Sequence, residues 1–400
     1  MRPEPVEGPG PIYGFVSSRS GRPGKDYGGG RPVLRGMAAG PTRIALVHDA
    51  RRFDGHYRMF EILRHALRAA GRPVASYSCI DPSQAEEYPH DGTVVWGRRI
   101  PPGGDLERGV NRFFPVFTRQ LRSIPADVVH VMDVHLASLA QFRPDVVVSI
   151  ADLAKRTTRW YPRGASFVHN HGLRYLAQSR AVVCHTEFVR GEILRTLPCP
   201  PERVVVAPLY SLLPEGPVRS APPPPTPAHP WTLLAVSTDR PHKNLGLFLE
   251  LLRSTDDRYR GLLVSHPTPA TRRRIAELGL TARLTVVTGA EAITDVYRRS
   301  EVLIFPSRHE GFGLPLVEAM GQGLPVVASD RTSIPEVVGA AGPLLNPEDP
   351  GPWLRALDRL TAPGAWEAAS RRSREQARTF GPERTVRGLL TAYRGGEPAP

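Results

Sequence analysis

Residues 303–338, LIFPSRHEGFGLPLVEAMGQGLPVVASDRTSIPEVV, constrain the fold more than any other stretch of the chain. Two apolar runs, 302–306 and 324–328, have the length and β-branched content of buried parallel strands. They enclose a glycine-bearing loop and a short helix, which makes one βαβ unit of an α/β fold. In the loop, Gly311, Phe312 and Gly313 can bring bare backbone close to a ligand. Leu314 follows, and Pro315 has the fixed φ suited to the first helical position. The free N–H groups of that first turn should therefore point at whatever occupies the loop, with phosphate or a sugar hydroxyl as the natural guest. Glu310 lies in the loop and Glu318 about one turn into the helix, so both are expected to face one cleft. Gly321 and Gly323 close the helix.

A second anion site is expected upstream. Residues 231–236 read as a strand, and a helix follows with Leu245, Phe248, Leu249 and Leu252 on one side. Lys243 falls between that strand's carboxyl end and that helix's N-terminus, where anions bind in parallel α/β sheets. Only three of the chain's 52 cations are lysines, Lys25, Lys155 and Lys243, so a lysine at this position stands out from an arginine-rich background.

The string HEGFGLPLVEAMGQGLPVVAS, with Glu310 and Glu318 as an E-x7-E pair, resembles the donor-binding signature of retaining glycosyltransferase family 4. The resemblance implies a GT-B fold, two facing Rossmann-like domains with a donor cleft between them. DRPHKNL resembles the family's basic loop, and Lys243 falls on the lysine that neutralises the donor diphosphate. His242 stands where relatives often have arginine, and Arg240 is the candidate for the second charge. The resemblance also implies that Glu310 orients the sugar, that Glu318 holds the ribose, and that Gly311, Phe312, Gly313 and Leu314 line the donor. A nucleotide-diphosphate sugar is then a co-substrate, no other cofactor is needed, and the chain's lack of an Asp-x-Asp triplet suits the metal-independent type. The implied activity is hexosyl transfer to a glycan or lipid-linked acceptor, with envelope or exopolysaccharide assembly as the setting. Such enzymes retain configuration, the leaving phosphate itself removing the acceptor's proton.

The first half of the chain has weaker signals. Residues 44–48 read as a strand, 49–57 as a loop and 58–69 as a helix with Phe60, Leu63, Ala66 and Leu67 on its apolar side. The loop has one glycine, Gly55, where relatives have more. His56 has two readings, a phosphate contact or a solvent-exposed loop histidine. Residues 127–131 and 145–149 read as strands. Residues 112–122 mix aromatics with arginines, and are either a domain helix with one buried side or an amphipathic element on a membrane. Residues 167–171 read as a strand running into a loop. The resemblance places a histidine at the end of such a strand against the reacting sugar, with His169 the best match and His171 second. A structural histidine is the alternative. Thr186 is expected to cap the helix that carries Val189, Ile193 and Leu194. Acceptor contacts are expected from the loops at 49–57 and 81–111.

The expected organisation is a disordered, Gly/Pro/Arg-rich extension at 1–36, with Met37 as the native start; a first domain at 37–213; a proline-dense spacer at 214–230; a donor domain at 231–378; and a last helix at 379–394 that returns to the first domain. Ser333 and Glu336 have capping-box spacing.

Cys79, Cys184 and Cys199 have no metal or redox spacing, so a reducing cytoplasm is the simplest setting. No apolar run approaches the roughly 20 residues of a membrane helix, and the net charge of +13 suits peripheral contact with an anionic membrane or a plain basic surface. No nucleic-acid motif occurs. A glycoside hydrolase also uses two carboxylates but needs no phosphate site. A non-catalytic nucleotide-sugar-binding protein is the remaining alternative, because the weakest matches lie in the first domain.

Overall fold

Both halves of the chain are built on parallel sheets, seen in a computed structural model that describes residues 43–50, 55–87, 92–99, 109–111, 113–114, 116–161, 163–288 and 293–396. The extension at 1–36 and the start at Met37 lie outside the described residues, as do residues 51–54, 88–91 and 100–108 of the expected acceptor loops and Arg112 and Pro115 of the aromatic–arginine segment. The described residues divide into two units, one formed by residues 43–210 with 380–396 and the other by residues 211–379.

The first unit opens with β1 (Ile44–His48) and α1 (Gly55–Ala69), followed by β2 (Val74–Ile80) and β3 (Thr93–Trp96). Then come α2 (Val116–Leu121), β4 (Val128–Val131), β5 (Val146–Ser149), α3 (Ala154–Thr157) and α4 (Arg163–Leu173). β6 (Ala181–Cys184), α5 (Glu187–Thr196) and β7 (Val204–Val206) complete it. The strands form a sheet in the order β3-β2-β1-β4-β5-β6-β7, with Val47 paired to Tyr77 on one side and to Val131 on the other. The strand order reverses about β1 and β4, which is where ligands enter doubly wound sheets. Val129, Val131, Val146 and Val148 are fully buried, as the valine-rich runs, interrupted only by His130, require of strands covered on both faces.

Three expectations are corrected here. Residues 167–171 form no strand; His169 lies inside α4, because two apolar residues make too short a run for a strand. His169, Gly172 and Leu173, at helical spacing, are the buried side of that helix. Gly172 lets the helix approach the 3-10 helix Val134–Gln141, since a Cβ there would lie 2.2 Å from the Val134 carbonyl oxygen. α1 begins at Gly55 rather than near residue 58, so Gly55 and His56 are in its first turn and not in a loop. Ser333 forms no capping box: its own backbone is right-handed helical and it makes no side-chain cap bond. Thr186 does cap α5, accepting from the Val189 N–H at 3.3 Å. In the segment expected to be amphipathic, α2 buries Phe117, Thr118 and Leu121, the pattern of a helix with one side in a core.

The second unit includes residues 214–230, which hold no helix or strand yet are tied to it at several points. The Gly216 N–H donates to the Gly321 carbonyl at 3.1 Å, Gln322 to Pro214 at 2.7 Å, Arg219 to Ser300 at 2.7 Å, and Trp231 to Pro223 at 2.8 Å. Extended proline-rich backbone leaves its carbonyls unpaired, and side chains of this unit use them.

β8 (Trp231–Val236), α6 (Leu245–Ser254), β9 (Tyr259–Val264), α7 (Pro269–Glu277), β10 (Leu284–Val287) and α8 (Ile293–Arg298) follow. The central βαβ unit is β11 (Val302–Phe305), α9 (Leu314–Gly321) and β12 (Val326–Ser329), and α10 (Ile334–Val338) leads to β13 (Leu344–Leu345). The sheet order is β10-β9-β8-β11-β12-β13, all parallel, with its reversal between β8 and β11. α11 (Pro350–Leu360) and α12 (Ala365–Ala377) carry Trp353 and Trp366, both fully buried. Their indole N–H groups donate to the Asn346 and Glu301 carbonyls at 2.9 Å each, as buried tryptophans require.

The last helix, α13 (Pro382–Tyr393), belongs to the first unit and packs on α1, β6 and β7. Gly388 permits this: a Cβ would lie 2.4 Å from the Val206 carbonyl oxygen. Tyr393 bonds His130 Nδ1 at 3.0 Å, and Arg180 donates to the Tyr393 carbonyl at 2.9 Å.

Candidate functional site

The reversal between β8 and β11 brings together two loops that are 67 residues apart in the chain. After β8, Pro241–Lys243 form one turn of 3-10 helix ended by Asn244 in left-handed conformation. After β11 the chain runs through Arg308, His309 and Glu310 to Gly313, the left-handed N-cap of α9. Lys243 Nζ lies 2.8 Å from both carboxylate oxygens of Glu310, a charge-assisted bidentate contact. The two loops are also joined by backbone, the Arg308 N–H donating to the His242 carbonyl at 2.7 Å. The Arg308 guanidinium binds Glu348 at 2.6 and 2.8 Å.

The other expected donor residues fall around this pair. Gly311, Phe312 and Gly313 are buried, while Leu314 and Pro315 are half-exposed at the start of α9, which no side chain caps. The helix begins at Leu314, so Pro315 is its second residue rather than its first. Arg240 is exposed and sits at the N-cap of the 3-10 turn. Glu318 is not open beside Glu310: it is fully buried, and the Tyr297 hydroxyl donates to its Oε2 at 2.9 Å. Five successive residues of α9, Leu316 to Met320, are buried, and only Leu314, Pro315 and Gly321 of this short helix are partly exposed.

In the first unit, the carboxyl ends of β4 and β5 and the first turn of α1 collect a second group of polar side chains. Asp133 caps the 3-10 helix after β4 by accepting from the His135 N–H at 3.0 Å. Its carboxylate lies 2.9 Å from His135 Nδ1 and 3.7 Å from His56 Nε2. These two histidines, His135 foremost, and Lys155 hold the Asp133 carboxyl well below the usual range against the opposing effect of burial. His169 lies beside His135, with the rings perpendicular and their centroids 6.1 Å apart. Burial, with help from the Lys155 charge, pushes the His169 pKa down to about 4, so its imidazole is neutral at pH 7. Neither of its ring nitrogens has a hydrogen-bond partner among the described residues. Gly55 lies next to His56 in the same turn, with open space where a Cβ would go.

Asp133, His135 and Thr332 were not singled out from the sequence, and Ser333 was read only as a helix cap. The signal for Asp133 was present, an acidic residue directly after a strand and before a short helix. Thr332 offered none, because a left-handed threonine cannot be read from residue type.

Two family descriptions match successive parts of the chain: "Glycosyltransferase Family 4" over residues 53–209 and "Glycosyl transferases group 1" over residues 230–362. The chain belongs to glycosyltransferase family 4. Among relatives, O-antigen chain mannosyltransferase B of Escherichia coli is 29% identical over 234 residues, 55% of this chain and 61% of that protein. A D-inositol 3-phosphate glycosyltransferase of Mycolicibacterium vanbaalenii is 40% identical over 123 residues, 30% of this chain and 27% of that protein. The matches thus span less than two thirds of these relatives. The crystal structure of Anabaena HepE in complex with UDP-glucose superposes with a TM-score of 0.68 at 13% identity, covering 87% of this chain and 98% of that one. The fold of this family 4 chain is GT-B, two Rossmann-like domains.

Proposed function

We propose that this protein moves a glycosyl group from a nucleotide-diphosphate sugar to an acceptor hydroxyl with retention of configuration. The observation that carries the reading is the Lys243–Glu310 pair, assembled at the carboxyl ends of two parallel strands beside the uncapped first turn of α9. An ammonium and the backbone N–H ahead of Pro315 suit a diphosphate, the Leu316 N–H being already taken by the Gly313 carbonyl at 2.9 Å, and a carboxylate suits paired sugar hydroxyls. On binding, Lys243 turns from Glu310 to the diphosphate, aided by Arg240, and Glu310 then accepts from the sugar. Glu318 is kept as the nucleoside-side carboxylate, a role that requires its buried position to open as the donor binds, with the Tyr297 hydroxyl fixing one of its oxygens.

In the reaction the bond from the anomeric carbon to the leaving phosphate oxygen breaks and a bond to the acceptor oxygen forms on the same face. The acceptor's proton passes to the phosphate oxygen that departs. The barrier falls through compensation of the diphosphate charge by Lys243 and the α9 amides. His169, neutral at pH 7, is assigned a hydrogen-bonding role toward the sugar rather than a charged one. No metal step is included, since the chain has no Asp-x-Asp triplet and the fixed positive groups serve the same end. A glycan or lipid-linked acceptor in envelope polysaccharide assembly is the setting we favour, in keeping with a relative named as an O-antigen chain mannosyltransferase. Among the described residues no helix is long and apolar enough to cross a membrane; contact with an anionic bilayer is part of the proposal.

Thermal unfolding against a panel of UDP-, GDP- and ADP-sugars, with and without magnesium, tests the reading. A donor at a hundredfold its dissociation constant adds about 2.7 kcal/mol of stability. A shift with one donor, independent of magnesium and lost in Lys243→Ala, is the expected result. Stabilisation that requires magnesium, or that survives Lys243→Ala, contradicts it.

A further inference from the structure

Among the described residues, Asn244 (φ 53°) and Thr332 (φ 52°) have left-handed backbone without being glycine. Both adjoin the Lys243–Glu310 pair. Asn244 follows Lys243 directly and its side-chain amide donates to the Pro306 and Pro347 carbonyls at 3.3 and 2.9 Å. Thr332 Oγ1 accepts from the Glu310 N–H at 3.0 Å. Asparagine visits this region at small cost, whereas a β-branched residue there is an outlier. Thr332 is therefore strained, and strain of this kind persists where the surroundings enforce it.

The next residue points to what enforces it. Ser333 is fully buried and donates its hydroxyl to the Glu310 carbonyl at 2.9 Å. In extended backbone, successive side chains point to opposite sides. Here the left-handed turn at Thr332 accompanies two successive hydroxyls on one residue, one holding its N–H and the other its C=O. We propose that Thr332 and Ser333 are positioning residues that grip the Glu310 backbone and so aim its carboxylate. Glycine at 332 would relieve the strain but lose half of the grip, so threonine is held there by the job of its hydroxyl. The functional half of this inference rests on the donor-site reading above; the grip itself does not.

Three variants, Thr332→Gly, Thr332→Val and Thr332→Ser, test it by melting temperature, deuterium exchange resolved to the Glu310 amide, and affinity for the donor that stabilises the wild type. Thr332→Gly is expected to melt no lower than wild type while its Glu310 amide exchanges faster and donor affinity drops about fivefold, the loss of one hydrogen bond's worth of aim. Thr332→Ser keeps the hydroxyl and should restore both amide protection and affinity. A residue that served only the fold would lose melting temperature and affinity together in Thr332→Gly. Unchanged Glu310 exchange in both Thr332→Gly and Thr332→Val overturns the grip. If no donor stabilises the wild type, the donor reading fails, and the grip is still decided by exchange and by the Lys243–Glu310 distance in a Thr332→Gly crystal structure.

Discussion

Replacing Lys243 and Glu310 singly and together gives a stability cycle whose outcome follows from their geometry. The side chains are 22% and 10% exposed and meet at 2.8 Å through both carboxylate oxygens. Exposed ion pairs contribute about 0–1 kcal/mol, and removing one member of a fully buried pair costs about 3–5 kcal/mol. This pair lies between those limits, and a hydrogen bond to a charged group contributes about 1.5–3 kcal/mol. A coupling of about 2 kcal/mol is therefore expected. The two singles should differ. Lys243→Ala leaves a carboxylate with little access to water, whereas in Glu310→Ala the lysine can swing on its flexible stem toward solvent. Lys243→Ala should cost about 2–3 kcal/mol, Glu310→Ala about 1 kcal/mol, and the double variant about 1–2 kcal/mol, less than Lys243→Ala alone because no unpaired carboxylate is left. Urea unfolding of the four proteins at pH 7.5 measures all terms. Strictly additive singles would show that the pair is not joined in solution, and the site as described would not stand.

Two further outcomes concern the first unit. Burial pushes the His130 pKa down to about 3, with a smaller push from His185, and burial pushes His185 down to about 4. Both are below the unfolded value, so their neutral forms are favoured by folding, and the associated stability is full above about pH 6.5 and lost as pH falls toward the folded values. At pH 5 each histidine costs about 2 kcal/mol relative to neutral pH. Urea unfolding from pH 7.5 to 5 should show this decline, and His185→Gln should remove about its own share; a flat profile would contradict the assignment. Gly388→Ala should push α13 off β7, because the added methyl meets the Val206 carbonyl, and cost about 1–3 kcal/mol with earlier proteolysis at residues 380–393. Wild-type stability in that variant would mean that α13 has room to shift.

The parts of the fold that were legible in the sequence are those written as unbroken apolar runs. β1 and the strands around residues 128–131, 146–149 and 302–305 are buried on both faces and contain little else. Lys243 and Glu310 were legible for a related reason: each follows such a strand at its carboxyl end, and the strand order then puts the two ends side by side. His169 was misplaced because Phe167-Val168 resembles a strand start, while the periodicity that makes it a helix is carried by His169, Gly172 and Leu173, only one of them a large hydrophobe. The proline-dense 214–230 segment carries little sign of its docking in composition, since most of the docking uses its carbonyls and other residues' side chains, Arg219 being the segment's own side-chain donor. The strained turn at Thr332 is likewise invisible in one dimension, because it is imposed by contacts with a loop 22 residues earlier.

A crystal structure with a bound nucleotide sugar tests the central claim most directly. The account predicts Lys243 Nζ within hydrogen-bond distance of the diphosphate, the phosphates against the first turn of α9, and Glu310 accepting from hydroxyls of the transferred sugar. A diphosphate bound elsewhere, with the Lys243–Glu310 contact still closed at 2.8 Å, would contradict it.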